Sequence, residues 1–163
     1  MWMIWIMVAM LSVAGYYSTS LHTEHDAPVA AMRDEHLAGN MAAYRSMVVD
    51  YFARHPEITG PASASLPDLE SVRPTWFAPS PLWANHLGAD GMITIYAATL
   101  PPTRITAEIV KLSQRSIMAG EVSAALAPGV LYSPVFGNTA IPLPADVAIP
   151  DGSPVWMARR TKS

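Results

Sequence analysis

The chain has 163 residues, which suits one domain of ordinary size together with a short additional segment. Its formal net charge of −3 argues against a nucleic-acid partner, because phosphate binding needs a concentrated basic face. Cysteine is absent, which excludes a disulfide framework, a thiol nucleophile and a thiolate metal site.

Residues 1–21 form an uncharged opening segment, and every Asp, Glu, Lys and Arg follows it. A helix of about 20 residues spans roughly 30 Å, which is the thickness of the hydrocarbon core of a bilayer. Aromatic residues, which favour membrane interfaces, stand at both ends of the segment: Trp2, Trp5, Tyr16 and Tyr17. We therefore predict a single transmembrane anchor over residues 1–21, with the N-terminus inside the cell and the following domain outside it.

A cleaved signal peptide is the alternative interpretation of this segment. Ser12, Val13 and Ala14 place small residues at the positions that signal peptidase reads before a cut after Ala14. However, no Lys or Arg precedes the apolar run, and a secretory signal normally has one. The sequence alone does not decide between an anchor and cleavage.

An amphipathic helix is predicted between Pro28 and His55, where no proline occurs. Its apolar residues recur at spacings of three and four: Leu37, Met41, Tyr44, Val48 and Tyr51. Pro56 ends the helix, and Gly39-Asn40 suggests that it starts properly near Asn40. We interpret residues 22–39 as a juxtamembrane linker or helix start and residues 40–163 as a soluble α+β domain.

The rest of the chain predicts a small mixed domain with a short β-sheet and a second helix. Residues 56–81 are proline-rich and suggest an ordered loop packed on the domain. Asp90-Gly91 is a hairpin turn signal, and Met92–Tyr96 alternates as a strand does. A helix is predicted from Arg104 to Ala119, capped by Thr103 and ended by Gly120. Further strands are expected at Val130–Tyr132, Thr139–Leu143 and Pro154–Ala158.

A search for chemistry gives one weak candidate, the cluster of His22, His25 and Asp26, whose side chains could bind Zn²⁺. The helical His-Glu-x-x-His arrangement is absent, so a polar linker is the simpler interpretation. His86 is interpreted as a loop residue. The sequence has no glycine-rich phosphate loop and no Gly-x-Ser-x-Gly elbow. We therefore expect no catalytic, cofactor-binding or metal-binding residues, and no enzymatic activity.

Several segments resemble the PilM proteins of type IVb pilus operons, which occur on conjugative plasmids. The resemblance lies in the segment from Met41 to Tyr51, in His55-Pro56 followed by Thr59-Gly60, in Pro74-Thr-Trp76-Phe77, in the Trp83-x-Asn85 pair and in Ile95-Tyr96. It implies an accessory protein of thin-pilus biogenesis that is held in the bacterial inner membrane, with its domain in the periplasm, and that contacts other pilus assembly proteins. The resemblance brings no catalytic residues with it.

Aromatic and arginine side chains predict where such contacts would form, because these residue types dominate interface hot spots. The candidate interface residues are Tyr44, Arg45, Tyr51, Trp76, Phe77 and Trp83. Packing of the aromatic residues in the domain core is the alternative. Other open alternatives are a minor pilus subunit or adhesin, a periplasmic enzyme or ligand-binding domain, and a homo-oligomer.

Overall fold

The computed structural model describes residues 29–160. The predicted anchor over residues 1–21, the cut after Ala14 and the histidine cluster at His22 and His25 lie outside the described residues. Within the described range, no helix combines the length and the apolar character needed to cross a membrane.

The chain divides into two compact units, residues 1–34 and residues 35–163. The first unit is described only over residues 29–34, which are helical. The predicted limits at residues 22–39 and 40–163 stay predictions.

The helix α1 is described over residues 29–54, and its apolar face is the one that the sequence predicts. Met41, Tyr44 and Val48 are buried, whereas Leu37 and Tyr51 are half-buried. Ala38, Met47 and Phe52 are also buried and widen this face. The helix runs through Gly39 and Asn40 without a break, so the expectation that it starts properly near Asn40 is wrong.

Six strands and two short helices follow α1, with a single 3-10 turn at Glu70–Val72. The helices are α2 (Leu66–Leu69) and α3 (Thr106–Leu112). The strands are β1 (Trp83–Leu87), β2 (Met92–Ala97), β3 (Ala119–Ser123), β4 (Ala127–Ser133), β5 (Gly137–Pro142) and β6 (Pro154–Arg159). They form one antiparallel sheet in the order β1-β2-β6-β3-β4-β5, so the last strand in sequence lies in the interior of the sheet.

Both faces of the sheet are buried against other parts of the domain. Because side chains alternate along a strand, Ile93, Ile95 and Trp156 join the core that contains the buried face of α1. Tyr96 and Met157 point the other way into a second, smaller core. Apolar side chains of the β5–β6 connection pack on this second core: Leu143, Val147 and Ile149.

The prediction of an α+β domain with an amphipathic helix and a sheet is confirmed, although the sheet is larger than expected. Strands β2 and β6 begin at the predicted residues, Met92 and Pro154, and each is one residue longer. Strand β4 extends the predicted Val130–Tyr132 on both sides. Strand β5 starts two residues before Thr139.

The second predicted helix is wrong in its second half. Helix α3 ends at Leu112, because Gln114 and Arg115 adopt positive φ angles of 55° and 59°. The N-cap residue of α3 is Ile105, whose side chain makes no capping hydrogen bond, and not the predicted Thr103. Gly120 does not end a helix: it lies in β3, where an added Cβ would overlap the carbonyl oxygen of Tyr132 on β4. This glycine permits the close approach of two strands.

Candidate functional site

The six candidate interface residues do not share one surface. Tyr44, Phe77 and Trp83 are buried in the main core. Arg45 and Tyr51 are half-buried, and the side chain of Trp76 is 77% exposed. Burial therefore gives the first three a packing role inside the domain, while a role in partner contact stays a prediction for the set.

Tyr44 belongs to a buried polar network centred on Asn85. The Asn85 amide nitrogen donates to the Tyr44 hydroxyl at 2.7 Å and to the Ala64 carbonyl at 2.8 Å. The Asn85 amide oxygen accepts the Ala64 N–H at 2.8 Å. Burial raises the pKa of Tyr44 above its ordinary value, so the hydroxyl stays neutral. The network joins α1 to β1 and to the loop before α2.

Arg45 is also engaged within the domain. Its Nη2 donates to the carbonyl oxygen of Met157 at 3.1 Å, and its guanidinium carbon lies 5.0 Å from the ring centroid of Trp156. The Met157 N–H donates to the carbonyl oxygen of Met118, the residue just before β3 begins. Arg45 thus donates a hydrogen bond to a carbonyl of β6 at the position where β3 begins. Desolvation lowers the pKa of Arg45 from its ordinary value.

Tyr51 lies at the end of α1 beside His55. Their rings are 4.3 Å apart between centroids, and the His55 Nδ1 lies 2.8 Å from the Tyr51 carbonyl oxygen. Arg160, directly after β6, donates to the carbonyl oxygens of His55 at 2.7 Å and Ile58 at 2.6 Å. A cation at these carbonyls stabilises a helix C-terminus, so Tyr51 lies in a structural junction.

Trp76 differs from the other candidates because its indole is exposed on a loop whose next residue is buried. Its ring is 5.8 Å from that of Phe77 in an edge arrangement, and Phe77 packs into the main core. Arg73 donates to the Phe77 carbonyl at 3.0 Å and to the Glu70 carboxylate at 2.8 Å. The bond from Arg73 lowers the pKa of Glu70, and the bond from Arg73 to the Phe77 carbonyl closes the start of the loop.

The far end of the same loop is held by Asn40 of α1. The Asn40 side-chain nitrogen donates to Ala78 at 3.0 Å. Its side-chain oxygen accepts from the Ser80 N–H at 3.0 Å and from the Trp83 indole nitrogen at 2.8 Å. We call residues 73–80 the Trp76 loop. It presents one exposed indole on a backbone that is fixed at both ends.

A separate cleft lies beside the β1–β2 turn and contains a residue pair that the sequence did not predict. His86 is not a loop residue, as expected, but a buried residue of β1. Its Nε2 lies 3.3 Å from the Asp146 Oδ2, and Thr94 is its partner on β2. Because β1 has mixed burial, its alternation was too weak to predict the strand. Burial raises the pKa of Tyr96, and Asp146 adds to this effect.

This His86 cleft has a volume of about 480 Å³. Pro61, Pro142, Leu143 and Pro144 give it a largely apolar wall. A second cleft of about 660 Å³ lies on the other side of the turn, beside Arg159 and Arg160. Among residues 29–160, no three His, Asp or Glu side chains are placed to hold a metal ion.

Comparisons with known proteins agree with this fold. The family model of PilM matches residues 7–157. A crystal structure described as PilM from Escherichia coli B7A superposes with a TM-score of 0.52 at 18% identity, covering 79% of this chain and 94% of that chain. No curated protein matches the sequence. At 18% identity, the similarity to the crystal structure supports the fold alone. The assignment to a family rests on the match between the sequence and the family model.

Proposed function

The chain belongs to the PilM family, and from this we propose that it is an accessory protein of type IVb pilus assembly. In this proposal, residues 1–21 hold it in the bacterial inner membrane with its domain in the periplasm. It acts by contact with other pilus assembly proteins rather than by catalysis. Membership of the family supports a pilus-related role. The inner-membrane location, the periplasmic domain and the action through protein contacts are parts of our proposal.

The observation that carries the proposal is the exposed indole of Trp76 on a fixed loop. Tryptophan is enriched among the residues that dominate binding energy in protein interfaces. A loop that is already ordered loses less conformational entropy on binding than a mobile one. The Glu70–Arg73 pair places exposed charged groups at the start of the same loop, and charged groups are typical of the polar rim of a protein interface. The Trp76 loop therefore has the composition and rigidity of a protein contact site.

Replacing Trp76 with a photo-crosslinking amino acid in the piliated host tests this proposal. We expect crosslinks to other pilus assembly proteins, because the side chain would lie in the contact. Trp76→Ala should lower piliation at least about tenfold, since a hot-spot truncation costs roughly 2 kcal/mol or more. Protein level and protease resistance should stay unchanged, because the indole is exposed.

The matched control is Leu112, an exposed apolar residue of α3 (44% exposed). Neither the crosslinker at this position nor Leu112→Ala should have an effect. Normal piliation by Trp76→Ala, together with no crosslink at position 76, would reject the proposal. Recovery of the protein in sheared pili would instead favour a minor subunit.

A further inference from the structure

The hairpin formed by β4 and β5 carries no charge. Residues 122–145 contain no Asp, Glu, Lys, Arg or His. This run includes β4, β5 and the turn between them. The turn is exposed: Val135 is 49% exposed and Phe136 is 51% exposed. We call residues 127–142 the uncharged hairpin, with Val135 and Phe136 at its tip.

At the open edge of the sheet, two backbone N–H groups of the uncharged hairpin donate to side chains of the same strand. Ala140 has a positive φ of 57°, and its N–H donates to the Asn138 side chain at 2.9 Å. The Ile141 N–H donates to the Thr139 hydroxyl at 3.3 Å. Pro142 has no N–H to offer. This edge therefore lacks the row of donors that another strand would need to pair with it.

We propose that the tip of the uncharged hairpin inserts into the interfacial layer of a lipid bilayer. The inference rests on the proposed inner-membrane function, which would bring the domain to a membrane surface. Insertion of apolar side chains is favourable when no charged group loses its hydration, and backbone groups entering a bilayer must already be hydrogen-bonded. The run that contains the tip has no charged side chain, and the N–H groups of Val135, Ala140 and Ile141 donate to side chains of the hairpin itself.

A lipid surface fits this hairpin better than a protein partner does. Protein interfaces are enriched in Tyr, Trp and Arg and are surrounded by a polar rim. The Trp76 loop has this composition, whereas the hairpin tip offers only Val135 and Phe136, in a run of the sequence that has no charged residue. A tip without negative charge is also not repelled by anionic lipids, although the whole chain has a net charge of −3.

The absence of cysteine from the chain permits a direct test. Phe136→Cys in the full chain is labelled with the environment-sensitive fluorophore NBD, and the protein is reconstituted into phosphatidylcholine–phosphatidylglycerol vesicles. We expect a blue-shifted NBD emission, loss of its intensity when spin-labelled lipid is included, and protection from iodide in the water. The control is Leu112→Cys with the same label, which should stay accessible to iodide and insensitive to spin-labelled lipid.

Two results would overturn the inference. A label at position 136 that is as accessible to iodide as the label at 112 would show that the tip stays in water. A blue shift without quenching by spin-labelled lipid, increasing with protein density in the vesicles, would show that the tip contacts protein. This experiment involves no other pilus protein, so its outcome is independent of the Trp76 crosslinking test.

Discussion

Two asparagines, Asn40 and Asn85, determine how the first half of the domain is assembled. Asn40 fixes the Trp76 loop to α1, and Asn85 joins β1 to Tyr44 and Ala64. Their bonds connect residues about 20 to 43 positions apart in the chain. Local sequence patterns cannot predict such bonds, because an isolated asparagine reads only as a helix breaker or a turn residue. This is why Gly39-Asn40 was misinterpreted as a helix start.

Asn85→Ala should lower the free energy of unfolding by about 3 kcal/mol, because it leaves buried polar groups of Ala64 and Tyr44 without partners. Tyr44→Phe is the matched control. It removes only the hydroxyl and should cost about 1 kcal/mol. Urea unfolding followed by tryptophan fluorescence measures both values. Equal losses in the two variants would show that Asn85 contributes through the tyrosine alone.

Residue burial also decided how much of the candidate site could be predicted. The choice of aromatic and arginine side chains selected Trp76, which is exposed, but the same rule selected Phe77 and Trp83, which are buried. An aromatic residue in a proline-rich loop fits a core or a surface equally well before the loop is placed. The rule could not find the His86–Asp146 pair, because Asp146 follows β5 and meets β1 only in the folded sheet.

At the level of secondary structure, strong local patterns predicted the right elements. The apolar spacing of α1 and the alternation of β2 and β6 come from side chains that are sorted by the core, so they are visible in the sequence. Strand β3 (Ala119–Ser123) was missed because its residues have low strand propensity. It is a strand because β6 and β4 pair with it on either side.

Two glycines in different elements should respond oppositely to alanine. Nothing lies within 4 Å of a Cβ added to Gly39 in α1, so Gly39→Ala should stabilise the protein by about 0.5–1 kcal/mol through lower backbone entropy in the unfolded state. Gly120→Ala in β3 should destabilise it by about 1–3 kcal/mol, because the methyl group would overlap the Tyr132 carbonyl.

Thermal unfolding of the two variants under one condition tests this pair. A stabilising effect of Gly120→Ala would contradict the close approach of β3 and β4. A destabilising effect of Gly39→Ala would contradict the open space that surrounds this position of α1.

At the scale of the whole domain, β6 connects two parts of the sheet. It pairs with β2 on one side and β3 on the other, so in the described sheet the strand pairing between the β1–β2 hairpin and the β3–β4–β5 group runs through β6. Trp156 contributes to the main core and Met157 to the second core. Both cores therefore depend on the last strand of the chain.

A chain ending at Asp151 should consequently fail to fold. It lacks the strand that both sheet groups need and the apolar side chains of β6, at about 1.5–3 kcal/mol for each large one. We expect loss of near-ultraviolet circular dichroism and rapid digestion by protease. A chain ending at Arg160, which keeps all of β6, should behave as the full chain does. Retained protease resistance in the shorter chain would show that the sheet groups fold independently.

The interior position of β6 also has a consequence during synthesis. A ribosome makes the chain from its N-terminus, so the sheet cannot close until β6, which follows the other five strands, has been polymerised and has left the exit tunnel. Until then the nascent polypeptide holds two incomplete sheet fragments with exposed apolar faces. Such a late closure would suit the proposed export of the domain to the periplasm, because translocation across a membrane requires a chain that has not yet folded.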